Sequence, residues 1–191
     1  MAPLSRRQPS RASVEAQDCR EAGVLALFYP DDNDSAQLLL TKRPEAMNKH
    51  AGQVAFPGGR REEGESLEET ALRETEEEVL IPSEDVNLLG ALTSLYIPPS
   101  NFCVHPFVGT IDYTPDLSVQ TEEVAVVFGV PPELLTSRKA RMTINMRVGD
   151  AKRDIPYFAF NGHVVWGATA MMLAELAVVM DPLVLEWESI I

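Results

Sequence analysis

Short apolar runs bounded by polar loops and by Gly and Pro recur along most of this chain, and they predict strands. Residues 22–28 and 37–41 read as strands around the polar loop 31–35, a hairpin signal. Residues 53–56 form a short strand that runs into the turn Pro57, Gly58, Gly59. Segments 86–95 and 104–111 follow as strands separated by the loop 98–101. Segment 124–130 reads as a buried strand leading to a short helix begun by Pro131 and Pro132. Segments 142–148 and 155–160 are expected to pair around Gly149 and Asp150. Two stretches have a helical pattern instead, one beginning at Ser66 and one over 167–180 that is apolar on most sides and therefore buried. No internal repeat appears. Strands, one helix, more strands and a last helix predict an α/β sandwich with a mixed sheet between helices.

The first helix carries the chemistry. Ser66 followed by Glu69 reads as a capping box that starts it at a defined residue. Ala71, Leu72, Thr75 and Val79 fall on one side, so that face is expected to pack. Glu74, Glu77 and Glu78 share the opposite side at about 100° per residue, and that face is expected to stay wet. Carboxylates three and four residues apart repel one another on a helix unless cations sit between them. Oxygen ligands at this spacing suit a hard divalent ion such as Mg²⁺ or Mn²⁺ that also holds phosphates. A solvated acidic face is the commoner reason for such a run. The flanks argue against it: Arg73 is placed to pair with Glu65, and Gly58 and Gly59 let the backbone come close to a ligand, with a glycine carbonyl able to serve a metal.

These residues resemble the Nudix box. Gly59, Glu65, Arg73, Glu74, Glu77, Glu78 and Ile81 match it at the correct spacing. Thr75 stands where the box has an apolar residue, and Leu80 where it has a glycine suited to a left-handed helix end, a conformation that costs other residues roughly 1 kcal/mol. The preceding segment 38–59, LLLTKRPEAMNKHAGQVAFPGG, is similar to the one that marks the coenzyme A pyrophosphatase branch of that family. Leu39, Leu40, Thr41, Arg43, Gly52, Phe56, Pro57, Gly58 and Gly59 match, while Pro44 replaces Ser or Ala and Asn48 replaces Arg. Segments 93–109 and 163–170 resemble the branch as well, so the similarity runs from Arg20 to about Met180.

The resemblance implies a Nudix-type α/β/α sandwich with a mixed β-sheet and a metal-dependent hydrolase of the pyrophosphate bond in coenzyme A or acyl-CoA. Glu74 and Glu78 become the principal ligands of Mg²⁺ or Mn²⁺, with Gly59 beside them. Glu77 is a third ligand or the base, and Arg73 completes the catalytic set. Arg43, Lys49 and His50 are the groups expected to meet substrate phosphates, Lys49 standing in for the missing Arg. The family often draws an extra carboxylate from a downstream loop, which points to Glu122 or Glu123; a solvated loop acid is the plainer reading of both. Two alternatives stay open: a Nudix hydrolase of another nucleoside diphosphate such as ADP-ribose, and a nucleotide-binding regulator that has lost catalysis. An intact set of mutually repelling glutamates speaks against the regulator.

Composition narrows the setting. The 191 residues are expected to form one domain over 18–191 after a flexible, aperiodic tail over 1–17. The net charge of −13 argues against long nucleic acid as a partner, and the resemblance implies a small-molecule nucleotide instead. No Lys or Arg lies between Glu74 and Ser137, whereas Arg138, Lys139, Arg141, Arg147, Lys152 and Arg153 crowd one stretch. That stretch is either a patch that attracts a polyanion or a solvated hairpin whose charges block edge pairing. Cys19 and Cys103 read as bystander thiols of a reducing, cytoplasmic compartment. No apolar run is long enough for a membrane span, and a homodimer is left open. His50, His105 and His163 have no ligand spacing, so zinc is not expected. The methionines, Met142 among them, read as core filler, and Trp166 as a helix-packing residue.

Overall fold

The structure is a computed structural model that describes residues 14, 17–45, 52–118, 123–137, 140–148 and 151–181. Its main sheet is built around β1 (Arg20–Pro30), which pairs antiparallel with β2 (Ala36–Lys42) through the expected hairpin. β2 carries β3 (Val54–Ala55), and β4 (Gly58–Arg60) folds back antiparallel on the first half of β1. Helix α1 (Leu67–Val79) and a 3₁₀ turn (Ser83–Asp85) follow. Then come β5 (Asn87–Ala91), β6 (Leu95–Ile97) and β7 (Phe102–Thr110). β7 runs parallel to β1, from Arg20 opposite Phe102 to Phe28 opposite Thr110, and this pairing makes the sheet mixed. β8 (Val126–Val130) returns to β2 and precedes the short helix α2 (Glu133–Thr136). A separate three-stranded sheet of β9 (Arg141–Val148), β10 (Ala151–Phe160) and β11 (His163–Val165) leads into helix α3 (Gly167–Val179), the last among the described residues.

β1 is apolar on both faces because both faces are covered. Leu25, Leu27 and Tyr29 pack with Leu39, Phe107 and the α1 residues Ala71 and Val79. Ala22 and Ala26 point the other way, into a core with Leu38, Leu40, Phe158, Phe160 and the α3 residues Leu173, Leu176 and Ala177. The result is the expected α/β sandwich, with a mixed sheet between helices.

Several expectations change. The single strand over 86–95 is two: β5, with a bulge between Leu88 and Gly90, ends at Ala91 opposite Phe107, and β6 resumes pairing with β7 at Leu95 opposite Val104. β11 was not expected; it forms because Asn161 (φ 49°) and Gly162 (φ 82°) make a tight turn that sets Phe160 opposite His163. Met142 is 47% exposed on β9 and fills no core, and Trp166 is also exposed, at the cap of α3. Cys19 and Cys103 are disulfide-bonded and not bystander thiols. The parallel pairing places Glu21 opposite Cys103, which brings residues 84 apart in sequence to a Cα–Cα distance of 5.8 Å. The expectation of a reducing compartment loses the support it drew from free thiols.

Of the expected tail, Val14 and Gln17 are described, and Val14 is buried beside Cys103. The rest of 1–17 lies outside the described residues, as do Arg138, Lys139, Gly149 and Asp150 of the basic stretch; Lys152 and Arg153 are exposed on β10. Among the described residues no helix is long and apolar enough to cross a membrane.

Candidate functional site

The capping box predicted at Ser66 is present. Glu69 N–H donates to Ser66 Oγ at 3.2 Å, and Ser66 N–H donates to the Glu69 carboxylate at 2.7 Å. This fixes the first turn of α1, and hence the rotational position of every glutamate after it. At the other end Leu80 adopts the left-handed conformation (φ 56°, ψ 31°) and its N–H donates to Glu76 O at 2.9 Å. Its side chain is 65% exposed, so the replacement of glycine costs backbone strain and no packing.

Arg73 is the tie of the site. Its Nε donates to Glu65 at 2.6 Å, as the sequence predicted, and its Nη1 reaches Glu74 at 3.0 Å and Glu77 at 3.2 Å. Nη2 donates to the Arg60 carbonyl at 3.2 Å, which closes the loop between β4 and α1 onto the helix. Glu65 also accepts from Glu62 N–H and Thr70 Oγ1. These contacts, the Arg73 hydrogen bond foremost, hold its carboxyl down at about 2. One guanidinium thus offsets the repulsion that three neighbouring carboxylates would otherwise exert.

The acidic face is only partly wet. Glu77 is 60% exposed, but Glu78 is buried and Glu74 half-buried. The expectation of a wholly solvated face fails because β4 lies over this side of α1. Gly58 N–H donates to Glu78 Oε2 at 3.2 Å, and a Cβ built on Gly59 would collide with the Glu74 carboxyl. Gly58 itself sits at φ 148°, a backbone state that other residues rarely adopt. Burial pushes the Glu78 carboxyl up to about 7, against the opposing pull of Arg43 and the Gly58 amide. Burial also raises Glu74, with Arg73 pulling the other way.

Arg43 closes the rim. It follows β2, where its N–H donates to Gln53 O at 3.0 Å. Its Nη2 lies 3.7 Å from Glu78 Oε1 and its Nη1 3.5 Å from Glu123 Oε2. Glu123 comes here because β8 pairs with β2 from Lys42 opposite Val126 onward, which lays the preceding loop beside the end of β2. Its charge helps to raise both Glu74 and Glu78. Sequence alone offered Glu122 and Glu123 equally; the strand pairing places Glu123 at the site, while Glu122, Lys49 and His50 lie outside the described residues. His105 is engaged elsewhere, sharing a hydrogen bond of 2.9 Å with Ser94 Oγ, and His163 stacks on Phe128.

Among the described residues no three His, Cys, Asp or Glu side chains are gathered closely enough to hold a metal ion. The donor set nevertheless suits a hard divalent cation. It consists of carboxylate oxygens at Glu74, Glu77 and Glu78, with the Gly59 backbone packed directly on Glu74, a contact that any side chain at 59 would prevent.

Comparison with known proteins gives the family and the fold. A model of the NUDIX domain matches residues 20–148. The chain is 38% identical over 172 residues to an uncharacterized Nudix hydrolase, NudL, of Yersinia enterocolitica, covering 90% of this chain and 86% of that protein. It is 36% identical to the NudL of Pectobacterium atrosepticum, covering 88% and 86%. Among solved structures, a MutT/nudix family protein from Enterococcus faecalis matches 89% of this chain and 67% of its own, with a TM-score of 0.59 and 18% identity. A Nudix hydrolase from M. smegmatis, RenU, matches 60% and 71%, with a TM-score of 0.51 and 21% identity.

Proposed function

The chain belongs to the Nudix family, and we propose that this Nudix hydrolase cuts the pyrophosphate bond of coenzyme A or an acyl-CoA, releasing phosphopantetheine and adenosine 3',5'-bisphosphate. The observation that supports this substrate is the position of Arg43. The segment 38–59, which resembles the coenzyme A branch, ends its strand at the carboxylate cluster, with Arg43 beside Glu78 and Glu123. Lys49 and His50 of the same segment are proposed to meet the ribose phosphate that distinguishes coenzyme A from ADP-ribose.

Glu74 and Glu78 would hold Mg²⁺ or Mn²⁺, with Glu77 and the Gly59 carbonyl as further donors. Such an ion, once bound, neutralises pyrophosphate charge and acidifies the attacking water. The chain's own groups supply position and proton transfer. Arg73 holds Glu65, Glu74 and Glu77 in place, so the charged face needs no rearrangement when a polyanion arrives. Arg43 presents a planar fork suited to two phosphate oxygens. Water attacks one phosphorus, the P–O bond to the other phosphate breaks, and Glu77 or Glu123, both exposed at the rim, takes the proton.

Purified protein incubated with Mg²⁺ or Mn²⁺ and a panel of coenzyme A, acyl-CoA, ADP-ribose and dinucleotides tests this reading. Fastest turnover on coenzyme A or acyl-CoA is expected, with both halves recovered. A preference for ADP-ribose would move the substrate and leave the chemistry standing. Absence of any turnover would favour a binding role.

A further inference from the structure

The Cys19–Cys103 disulfide sits where the main sheet meets the loop between β4 and α1. Cys19 lies just before β1, and its partner is on β7 opposite Glu21. Glu21 in turn holds that loop. Its carbonyl accepts from Arg61 N–H at 3.0 Å, and its carboxylate pairs with Arg61 Nη1 at 2.6 Å. Arg61 Nε then donates to Glu65 O at 2.6 Å, and Glu65 is the carboxylate that Arg73 grips. A continuous series of contacts therefore runs from the disulfide to the arginine that orders the acidic face of α1. Hydrogen bonds also hold the chain at this junction. Arg20 N–H donates to Asn101 O at 2.9 Å, and Asn101 Nδ2 donates to Asp18 O at 3.2 Å. These bonds keep β1 on β7 when the disulfide opens, so opening loosens the junction without dismantling the sheet.

The two sulfurs are not equally accessible. Cys103 is 1% exposed and lies beside buried Val14, whereas Cys19 is partly exposed. A cavity of about 130 Å³ adjoins the bond, lined by Val14, Gln17, Cys19, Glu21, Cys103 and His105. A few water-sized groups fill such a volume, so it admits the end of a small thiol and not a folded protein. We propose that the disulfide is an exchange site for low-molecular-weight thiols, attacked at Cys19, and that its opening loosens the loop that carries Glu65. A thiolate attacks Cys19 Sγ, a new S–S bond forms there, and Cys103 leaves as a thiolate that takes a proton from water. A second thiolate attacks the outer sulfur of that mixed disulfide, which frees Cys19 and releases the small disulfide. Two small thiols are thereby oxidised as one protein disulfide is reduced. This exchange needs neither the metal ion nor the substrate.

Metal-free, full-length protein treated with limiting cysteamine, glutathione or coenzyme A, then quenched in acid and mapped by peptide mass spectrometry, tests the chemistry. The mixed disulfide is expected on Cys19 in each arm, with Cys103 as the free thiol, and the fastest arm identifies the source of the thiol. Adducts on Cys103, or reduction by a protein dithiol with no small-thiol adduct, would overturn the proposal. Amide hydrogen exchange reads the coupling. Once the disulfide is opened, amides over 61–65 should exchange about tenfold faster, while those of α3 stay unchanged. Cys19→Ser should show the opened rate with or without thiol. A uniform rise along the whole chain would make the disulfide a general staple, and an unchanged loop would break the link to Glu65. Either result overturns the proposal, and neither bears on which substrate is cut.

Discussion

Helices α1 and α3 have the same length, thirteen residues, and cover opposite faces of one sheet, yet they are held by different forces. α3 buries Ala170, Met172, Leu173, Leu176 and Ala177, carries no side-chain cap and has one acid, Glu175, which accepts from Thr93 N–H and Oγ1. Its stability comes from apolar area removed from water. α1 buries little that is apolar beyond Ala71 and Val79, and includes the carboxylate of Glu78 among its buried groups. A capping box, a web of Arg73 contacts and the cover of β4 hold it in place. The lesson is a division of labour. In this fold the helix that presents charge contributes less apolar burial than the one on the opposite face of the sheet, and its cap and ion pairs supply the rest.

The sharpest way to break this comparison is Glu78→Gln. Losing an anionic ligand should raise the reaction barrier by several kcal/mol, on the order of 10³-fold or more in kcat/KM, while the metal-free protein keeps or gains stability. Steady-state kinetics at saturating Mg²⁺ with parallel urea melts would read both, and near-normal activity would mean that other carboxylates do the work. Leu173→Ala should do the reverse. Deleting a fully buried leucine from α3 is expected to cost about 2–5 kcal/mol in urea unfolding, with kcat of the folded fraction unchanged.

Stability against pH sharpens the contrast further. The Glu78 carboxyl is raised in the folded protein from an ordinary 4.5 to about 7, so the folded state holds an extra proton between those values. The stability this proton confers is present below about 4.5 and lost as pH rises through about 7, on the order of 3 kcal/mol. Glu74 is raised as well and adds in the same direction. Glu65 is lowered, so its contribution is present above 4.5 and lost only as pH falls through about 2, outside that window. Metal-free wild type should therefore melt lower at pH 8 than at pH 5, and Glu78→Gln should flatten the slope. An equal slope in the variant would place the titration elsewhere. The smallest effect is local: Ser66→Ala should cost about 1 kcal/mol by removing the cap, a loss with no counterpart at uncapped α3. Thermal melts that leave Ser66→Ala unchanged would remove capping as a support of α1.

Much of this division was legible in the residues themselves. The capping box, the Glu65–Arg73 pair and the apolar character of α3 are interactions or patterns between near neighbours, and short spacings specify them. The same holds for β1, β2 and β7, whose apolar runs report burial on both faces. The break between β5 and β6 escaped because where a strand stops pairing depends on its partner β7 and not on its own residues. β11 escaped although Asn161 and Gly162 are a strong turn signal, because the strand beyond them is only three residues long.

By itself, then, the sequence determined which chemistry is present: a glutamate set at helical spacing, its arginine, its glycine turn and the strands that carry them. Tertiary structure alone decided the environment of those groups. It folded β4 over α1 and buried Glu78, so that one carboxylate of three is pushed up to about 7. It brought Arg43 and Glu123, eighty residues apart, to the same rim through the pairing of β2 with β8. It joined Cys19 to Cys103 through the parallel pairing of β1 with β7. Spacing along a chain fixes which side of an element a residue faces. Burial, field and long-range contact depend on what else arrives at that face, and only the assembled sheet sets that.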